Sequence, residues 1–176
     1  MLVRRNVDFA GLDALIARRG ADLLAAAVLL TGSRVAAEDL LQAALERLMR
    51  HWHRIRGDKE AYLRRTLYHL AIDQWRGRRR RPEVLATVEP PAQADGTDEL
   101  ALRRALVHAM AQLPPRQRAV LVLRYWEQLS EVEAAEVLGV SVGTVKASAS
   151  RGLARLRETA GAWTDGHART RDGVQS

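Results

Sequence analysis

Basic side chains concentrate in two segments of this chain, and each segment has the composition of a surface that faces a polyanion. Residues 54–81 have a net charge of +7 and residues 103–157 a net charge of +5. Residues 82–102 lie between them, carry three prolines and have a net charge of −5. Arg and Lys bind phosphate through charge and N–H donation. This pattern indicates two polyanion-facing surfaces joined by a spacer, the alternative for either segment alone being a merely solvated surface.

The second basic segment contains the residue types of a helix-turn-helix. Ser130 and Glu133 form a capping box, Gly139 can adopt the left-handed backbone of a tight turn, and Ser141 can cap a second helix. We expect Val145, Ala149 and Leu156 to face the core. The opposite side is small and polar at its start and basic further on, which suits the major groove of DNA. An ordinary helical hairpin is the alternative.

Neither a catalytic centre nor a metal centre is evident in the sequence. His51 and His53 diverge at a helix end, the other histidines lie alone, and carboxylates do not cluster with them. The absence of Cys removes disulfides, thiolate metal sites and Cys nucleophiles, and it fits a reducing cytosol. We therefore expect no enzymatic activity, no cofactor and no metal.

Composition and periodicity predict an all-α fold, because aromatic residues are scarce and no β-branched alternating run occurs. We expect two small helical domains joined by a flexible acidic linker, the second being the helix-turn-helix domain. The predicted boundaries are 8–80 for the first domain, 81–98 for the linker, 99–158 for the second domain and 159–176 for a short tail. The sequence does not indicate a role for this tail.

Helical spacing divides the first domain into three parts. A first helix, or a helix pair interrupted at Gly20, ends at Thr31-Gly32. A second helix follows the N-cap Ser33, and its predicted apolar stripe is Leu40, Leu41, Ala44, Leu45, Leu48 and Trp52. A break at Gly57-Asp58 precedes a third helix that ends in a run of arginines, with Leu63, Leu67, Leu70 and Ala71 facing inward.

The second domain begins with a helix that ends at Pro114-Pro115, and Pro115 can open the next helix. We expect Trp52 in the first domain and Trp126 in the second to be core residues. The longest apolar stretch, ADLLAAAVLLTG, is far short of the roughly 20 residues that span a bilayer, and MLVRRNVDF lacks a signal-peptide core. We expect a cytoplasmic protein that does not contact a membrane.

Two stretches resemble regions of a known family. LPPRQRAVLVLRYWEQLSEVEAAEVLGVSVGTVKASASRGLARLR is similar to region four of the extracytoplasmic-function group of bacterial RNA polymerase sigma factors. AAEDLLQAALERLMRHW followed by YLRRTLYHLAIDQWRGRRRR is similar to region two of the same group. The resemblance covers about residues 8–158, in the family's order, and it implies a subunit that directs core polymerase to promoters and assists promoter opening.

The resemblance also implies which surfaces of the first domain bind which partner. The helix from Glu38 to Trp52 would dock on the clamp of the largest polymerase subunit, and the implied contact residues are Glu38, Asp39, Gln42 and Glu46. The following loop and helix would melt the −10 element and hold its non-template strand. The implied −10 residues are Arg54, Arg56, Arg64, Arg65, His69 and Arg76, continued by the arginines at 78–81.

In the second domain, the resemblance implies that the recognition helix reads the −35 element as duplex. The base-facing residues would be Lys146, Ala147, Ser150 and Arg151, and the phosphate-facing residues Arg116, Arg118, Thr144 and Arg155. The flap of the second-largest polymerase subunit and an anti-sigma protein are further implied partners. The acidic linker would imitate RNA in the polymerase.

Three positions depart from the family's pattern. His69 replaces the usual Asn that touches the −10 strand, while Ala43 and Ala134 replace a common acidic and a common larger apolar residue.

The rival hypothesis is a stand-alone two-domain helix-turn-helix regulator that binds duplex DNA by itself, but it assigns no function to the helix from Glu38 to Trp52.

Overall fold

A computed structural model describes residues 9–79 and 98–172, with side chains for 10–77 and 100–159, and these residues form seven α-helices. They are α1 (Phe9–Thr31), α2 (Arg34–His51), α3 (Lys59–Arg79), α4 (Asp98–Ala111), α5 (Pro115–Leu121), α6 (Glu131–Leu138) and α7 (Val142–Asp172). A π-helical turn, Val122–Trp126, continues α5. The described residues contain no strand, so the predicted all-α class is confirmed. Residues 81–97 of the predicted linker lie outside the described residues.

The first three helices form one unit, and each begins or ends where the sequence indicates. Ser33 caps α2 by accepting a hydrogen bond from the Ala36 N–H, and Asp58 Oδ1 accepts from the Glu60 N–H at 2.8 Å at the start of α3. The predicted stripe of α2 faces the core of this unit, with Leu40, Ala44 and Leu48 fully buried. α1 continues through Gly20, so the helix-pair alternative is wrong.

The last four helices form the predicted helix-turn-helix unit. The capping box of α6 is present, because the Ser130 side chain accepts from the Glu133 N–H and the Glu133 side chain accepts from the Ser130 N–H. Gly139 ends α6 with φ of +64°, a conformation that few residues other than glycine adopt at low cost. A Cβ added at Gly152 would lie 3.0 Å from Leu121 Cδ1, so α5 and α7 approach closely because Gly152 has no side chain.

The two units share an apolar core that the sequence did not lead us to expect. Ala26, Leu29 and Leu30 of α1 and Tyr68 of α3 belong to the same buried cluster as the core of α4 to α7. A second cluster, formed by the opposite faces of α1 and α3 with α2, lies wholly within the first unit. α1 and α3 therefore each bury two faces, and the units are packed against each other.

One expectation about the second unit is wrong. Trp126 is half-exposed, whereas Trp52 is buried as predicted. The π-helical turn explains the difference, because one extra residue per turn rotates the end of α5: Trp126 turns outward and the Glu127 side chain turns inward, only 2% exposed. The backbone of α7 continues to Asp172, into the segment 159–176 that the sequence analysis interpreted as a short tail.

Candidate nucleic-acid and polymerase interfaces

The outward side of α7 presents the residues predicted to face bases. Lys146, Ala147, Ser150 and Arg151 are all exposed, while Val145 on the opposite side is fully buried. Ser141 holds the start of the helix by accepting from the Thr144 N–H at 3.2 Å. Lys146 Nζ lies 3.5 Å from the Glu131 carboxylate, in an exposed pair that contributes little stability and so can exchange partners.

The residues predicted to face phosphate are divided between surface and interior. Arg116 and Arg155 are exposed and Thr144 is partly buried. Arg118 is 6% exposed, and its guanidinium donates to the carbonyl oxygens of Leu30, Ala111 and Leu113. Arg118 thus satisfies carbonyls at the ends of α1 and α4, and a phosphate contact would require it to leave them.

Most residues predicted to hold the −10 strand are on the surface of the first unit. Arg54 and Arg56 lie exposed in the turn between α2 and α3, and Arg65, His69 and Arg76 are exposed along α3. Arg76 forms an exposed pair with Asp73 at 3.7 Å. The side chains of the arginines at 78–81 lie outside the described residues.

Arg64, the remaining predicted −10 residue, belongs to a charge cluster between the two units. Glu127 is the carboxylate at its centre: Arg19 NH2 of α1 lies 3.1 Å and Arg64 Nε of α3 lies 3.2 Å from Glu127 Oε2. Glu60 Oε1 completes the cluster at 3.0 Å from Arg19 Nε and 3.2 Å from Arg64 NH2. The contact from Arg19 NH2 to Glu127 has hydrogen-bond geometry, whereas the contact from Arg64 Nε to Glu127 is an ion pair only. We call these four residues the interdomain charge cluster.

Tyr68 lies next to this cluster and is fully buried. Burial raises its pKa well above the usual value, and the negative charge of Glu127 raises it further. Its hydroxyl and Glu127 Oε1 have no hydrogen-bond partner among the described residues. Tyr68 is therefore neutral, and the arginines supply the positive charge that the buried carboxylate requires.

The exposed side of α3 also faces the helix-turn-helix. His69 Nε2 lies 2.9 Å from the carbonyl oxygen of Val137, near the end of α6, and because a carbonyl only accepts, His69 donates this bond. Beside it, Arg65 lines a cleft of about 620 Å³ whose other wall is Val132, Ala135, Glu136 and residues 139–142. The predicted −10 surface and the α6–α7 turn thus lie against each other.

The outer side of α2 carries the residues predicted to contact polymerase. Glu38, Asp39, Gln42 and Glu46 are exposed, and the buried residues of the helix lie on its other side. Within the row, Gln42 Nε2 donates to Glu46 Oε1 at 3.2 Å, and Arg34 Nε donates to Glu38 Oε1 at 2.6 Å. The row is thus a solvent-facing, mainly acidic surface on a rigid helix.

Sequence reasoning missed the interdomain charge cluster and the shared core. A signal was present: α3 has a second apolar face in Tyr68, Ala71 and Ile72, which the first unit alone does not need. The position of Glu127 had no comparable signal, because it depends on the π-helical turn before it. The parts of the chain that the structure describes hold no group of three potential metal ligands, and none of their helices is long and apolar enough to cross a bilayer.

A helix-turn-helix unit with a basic outer helix, packed on a helical unit rich in exposed arginines, defines a DNA-binding protein of two regions. Residues 15–81 match the family Sigma-70 region 2, and residues 103–156 match the family Sigma-70, region 4. The chain is 46% identical over 127 residues to the RNA polymerase sigma-E factor of Streptomyces antibioticus, covering 70% of each chain. It is 41% identical over 138 residues to the RNA polymerase sigma-E factor of Streptomyces coelicolor, covering 77% of this chain and 78% of that one.

A solved structure has a similar fold. The fold is similar to the sigma factor RpoE of Bartonella quintana, solved in complex with the anti-sigma factor NepR, with a TM-score of 0.64 and 25% identity over 85% of this chain and 96% of that one. The chain belongs to the extracytoplasmic-function group of RNA polymerase sigma factors. It is accordingly a factor that directs RNA polymerase to promoters.

Proposed function

We propose that three separate surfaces divide the work of promoter selection. The outer row of α2 binds the clamp of the largest polymerase subunit, and the second unit meets the flap of the second-largest. The arginines of the α2–α3 turn and of α3, with His69, hold the non-template strand of the −10 element. The outer side of α7 reads the −35 element as duplex. The chain performs no turnover chemistry of its own and acts in the cytoplasm with the polymerase.

The exposed row on α2 is the observation that carries this proposal. Four polar residues on one side of a helix, three of them acidic, repel DNA phosphate and therefore suit a protein partner. A stand-alone duplex-binding regulator has no use for such a surface. The exposed side of α7, with its cations beside small side chains, supports the duplex contact, since Lys and Arg hydrogen-bond guanine edges in the major groove.

Binding to core polymerase tests the proposal directly. Asp39→Ala/Gln42→Ala should weaken binding to purified core at least tenfold while leaving the circular dichroism spectrum and the unfolding midpoint unchanged. Asp13→Ala/Gln112→Ala is the matched control, because it removes one Asp from an exposed position in α1 and one Gln from an exposed position just after α4. Equal core binding by both double variants would remove α2 from the polymerase contact.

A stand-alone regulator and a sigma factor also differ in how they bind DNA. The regulator would bind a promoter duplex tightly by itself and would not support initiation. A sigma factor should need the core enzyme for tight, promoter-specific binding. An anti-sigma protein is a further proposed partner, and the complex of the similar Bartonella quintana factor with NepR supports it.

A further inference from the structure

An ion pair joins the two helices of the helix-turn-helix on its outer side. Lys146 Nζ of α7 lies 3.5 Å from Glu131 Oε2 of α6, and the two side chains are 63% and 37% exposed. Ion pairs with this much exposure contribute little to stability. The pair therefore adds little to the packing of α6 on α7, and its exposure leaves both charged groups available to a ligand.

The fold holds the backbones of both residues in place. Glu131 is the first residue of α6 and directly follows the capping-box residue Ser130. Lys146 lies in the second turn of α7, a helix that Ser141 caps, and its neighbour Val145 is fully buried. The carboxylate and the ammonium group thus lie side by side at a defined place, and only their side chains need to adjust to a ligand.

A cationic donor next to an acceptor matches one kind of base pair in the major groove. A G·C pair presents the acceptors N7 and O6 of guanine beside the N4 amino donor of cytosine. Because Lys only donates and a carboxylate only accepts, Lys146 can donate to guanine while Glu131 accepts from cytosine. An A·T pair has the adenine amino group and thymine O4 at those places, so a donor would face a donor and an acceptor would face an acceptor.

Glu131 also makes DNA phosphate a poor target for Lys146. A lone Lys has a flexible stem and can bind any phosphate within its reach, and such contacts carry no sequence information. The ion pair has no net charge, and its carboxylate repels phosphate. Pairing with Glu131 therefore favours a base edge over the backbone as the partner of Lys146.

We propose that Glu131 is a specificity residue, which together with Lys146 reads one G·C base pair of the −35 duplex. Lys146 donates to guanine and Glu131 accepts from cytosine. This inference rests on the proposed role of α7 in reading the −35 element, which assigns Lys146 to a base edge and gives Glu131 no role. The base-reading surface thus extends from α7 to the first residue of α6.

Holoenzyme binding to promoter fragments that carry each base pair at each −35 position tests the proposal. Glu131→Gln keeps the size of the side chain, but its amide can donate to thymine O4 as well as accept from cytosine N4. This variant should reduce the preference for G·C over A·T at one position about tenfold, the size expected of one matched base contact. Lys146→Met, which keeps the aliphatic stem, should relax selectivity at the same position.

Glu136→Gln is the matched control, because it removes the same charge from an exposed position of α6. It should leave selectivity unchanged at every position. The unfolding midpoints of all three variants should equal that of the wild-type chain, since the ion pair contributes little stability.

Three results would overturn the role of Glu131. They are an unchanged G·C preference in Glu131→Gln, a relaxed position different from the one that Lys146→Met relaxes, and an equal change in affinity on every fragment. A wild-type preference for A·T at the position relaxed by Lys146→Met would overturn it as well. If Lys146→Met relaxed no position at all, the proposed base contact of Lys146 would itself be contradicted, and the role of Glu131 with it.

Discussion

Two basic helices, α7 and α3, are similar in sequence character but differ in what they do with their charge. On α7 the predicted base-facing residues are exposed, and Lys146 has only an exposed partner. On α3 the cations are divided: Arg65 and Arg76 are exposed, whereas Arg64 neutralises Glu60 and Glu127 at the contact with the other unit. A basic segment thus predicts a polyanion-facing surface only where the fold has no buried carboxylate of its own to neutralise.

The two units also differ in their cores: one core lies wholly within the first unit, and the other is shared by both units. Substitutions in these cores have the largest expected effects. Leu40 is fully buried in the first unit's own core, and Leu123 in the core that both units share. Leu40→Ala and Leu123→Ala should each lower the free energy of unfolding by about 3–4 kcal/mol. Leu102→Ala, at a mostly exposed position of α4, should have almost no effect.

Urea denaturation followed by circular dichroism measures these values. Because the shared core couples the units, each variant should unfold in one transition. Two separate transitions in the wild-type chain would show that the units are independent and that the shared core contributes little.

Arg118 and Arg116 distinguish an interior cation from a surface cation within one helix. Arg118→Met leaves three carbonyl oxygens without their donor and should cost about 3 kcal/mol of unfolding free energy. Arg116→Met should leave stability nearly unchanged and reduce the salt dependence of promoter binding by the holoenzyme by about one ion. A stable Arg118→Met protein whose salt dependence falls would place Arg118 on phosphate instead.

Arg151 tests whether the exposed side of α7 reads bases. Arg151→Ala should cost about 1–3 kcal/mol at one base pair of the −35 element and relax selectivity there, as measured by holoenzyme binding to promoter variants. Arg157→Ala, an exposed arginine further along α7, should weaken binding similarly on every sequence or not at all. A uniform loss for Arg151→Ala would reassign Arg151 to the phosphate backbone.

The capping box of α6 gives the smallest effect. Ser130→Ala should lower stability by about 1 kcal/mol, because it removes the acceptor for the Glu133 N–H. Hydrogen bonds from the Ser130 side chain and backbone lower the pKa of Glu133 from its usual 4.5. These bonds favour the ionised form in the folded state, so their contribution is present above pH 4.5 and is lost as the pH falls through the lowered pKa.

Thermal unfolding of the wild-type chain and of Glu133→Gln at several pH values measures this contribution. The difference between the two midpoints should be constant near neutral pH and should shrink in acid. A difference that grows as the pH falls would contradict the lowered pKa.

Local signals explain which parts of the fold could be predicted from the sequence. The capping box, the left-handed Gly139 and the Pro115 helix start each depend on residues within one turn of chain, and all three are present. The α2 stripe was equally readable, because its partners are the neighbouring helices α1 and α3. These features give the all-α class, the helix-turn-helix and the exposed rows on α2 and α7.

The contact between the units was not predictable, because it pairs residues far apart in sequence. Arg19 and Glu127 are 108 residues apart, and Arg118 reaches the Leu30 carbonyl 88 residues away. The inward turn of Glu127 also needs the π-helical turn, and VLRYW contains no Pro or Gly to indicate it. The family resemblance assigned Arg64 and Arg118 to DNA, and in this structure both contact residues of the other unit.

The central claim is that one chain joins a unit that binds polymerase and single-stranded DNA to a unit that reads duplex DNA. Run-off transcription on a genomic promoter library tests this claim most directly. Core polymerase with the purified chain should produce RNA from a defined subset of promoters, and neither component alone should do so. Tight binding of the chain alone to those promoters, with no RNA from any template when core is added, would contradict it.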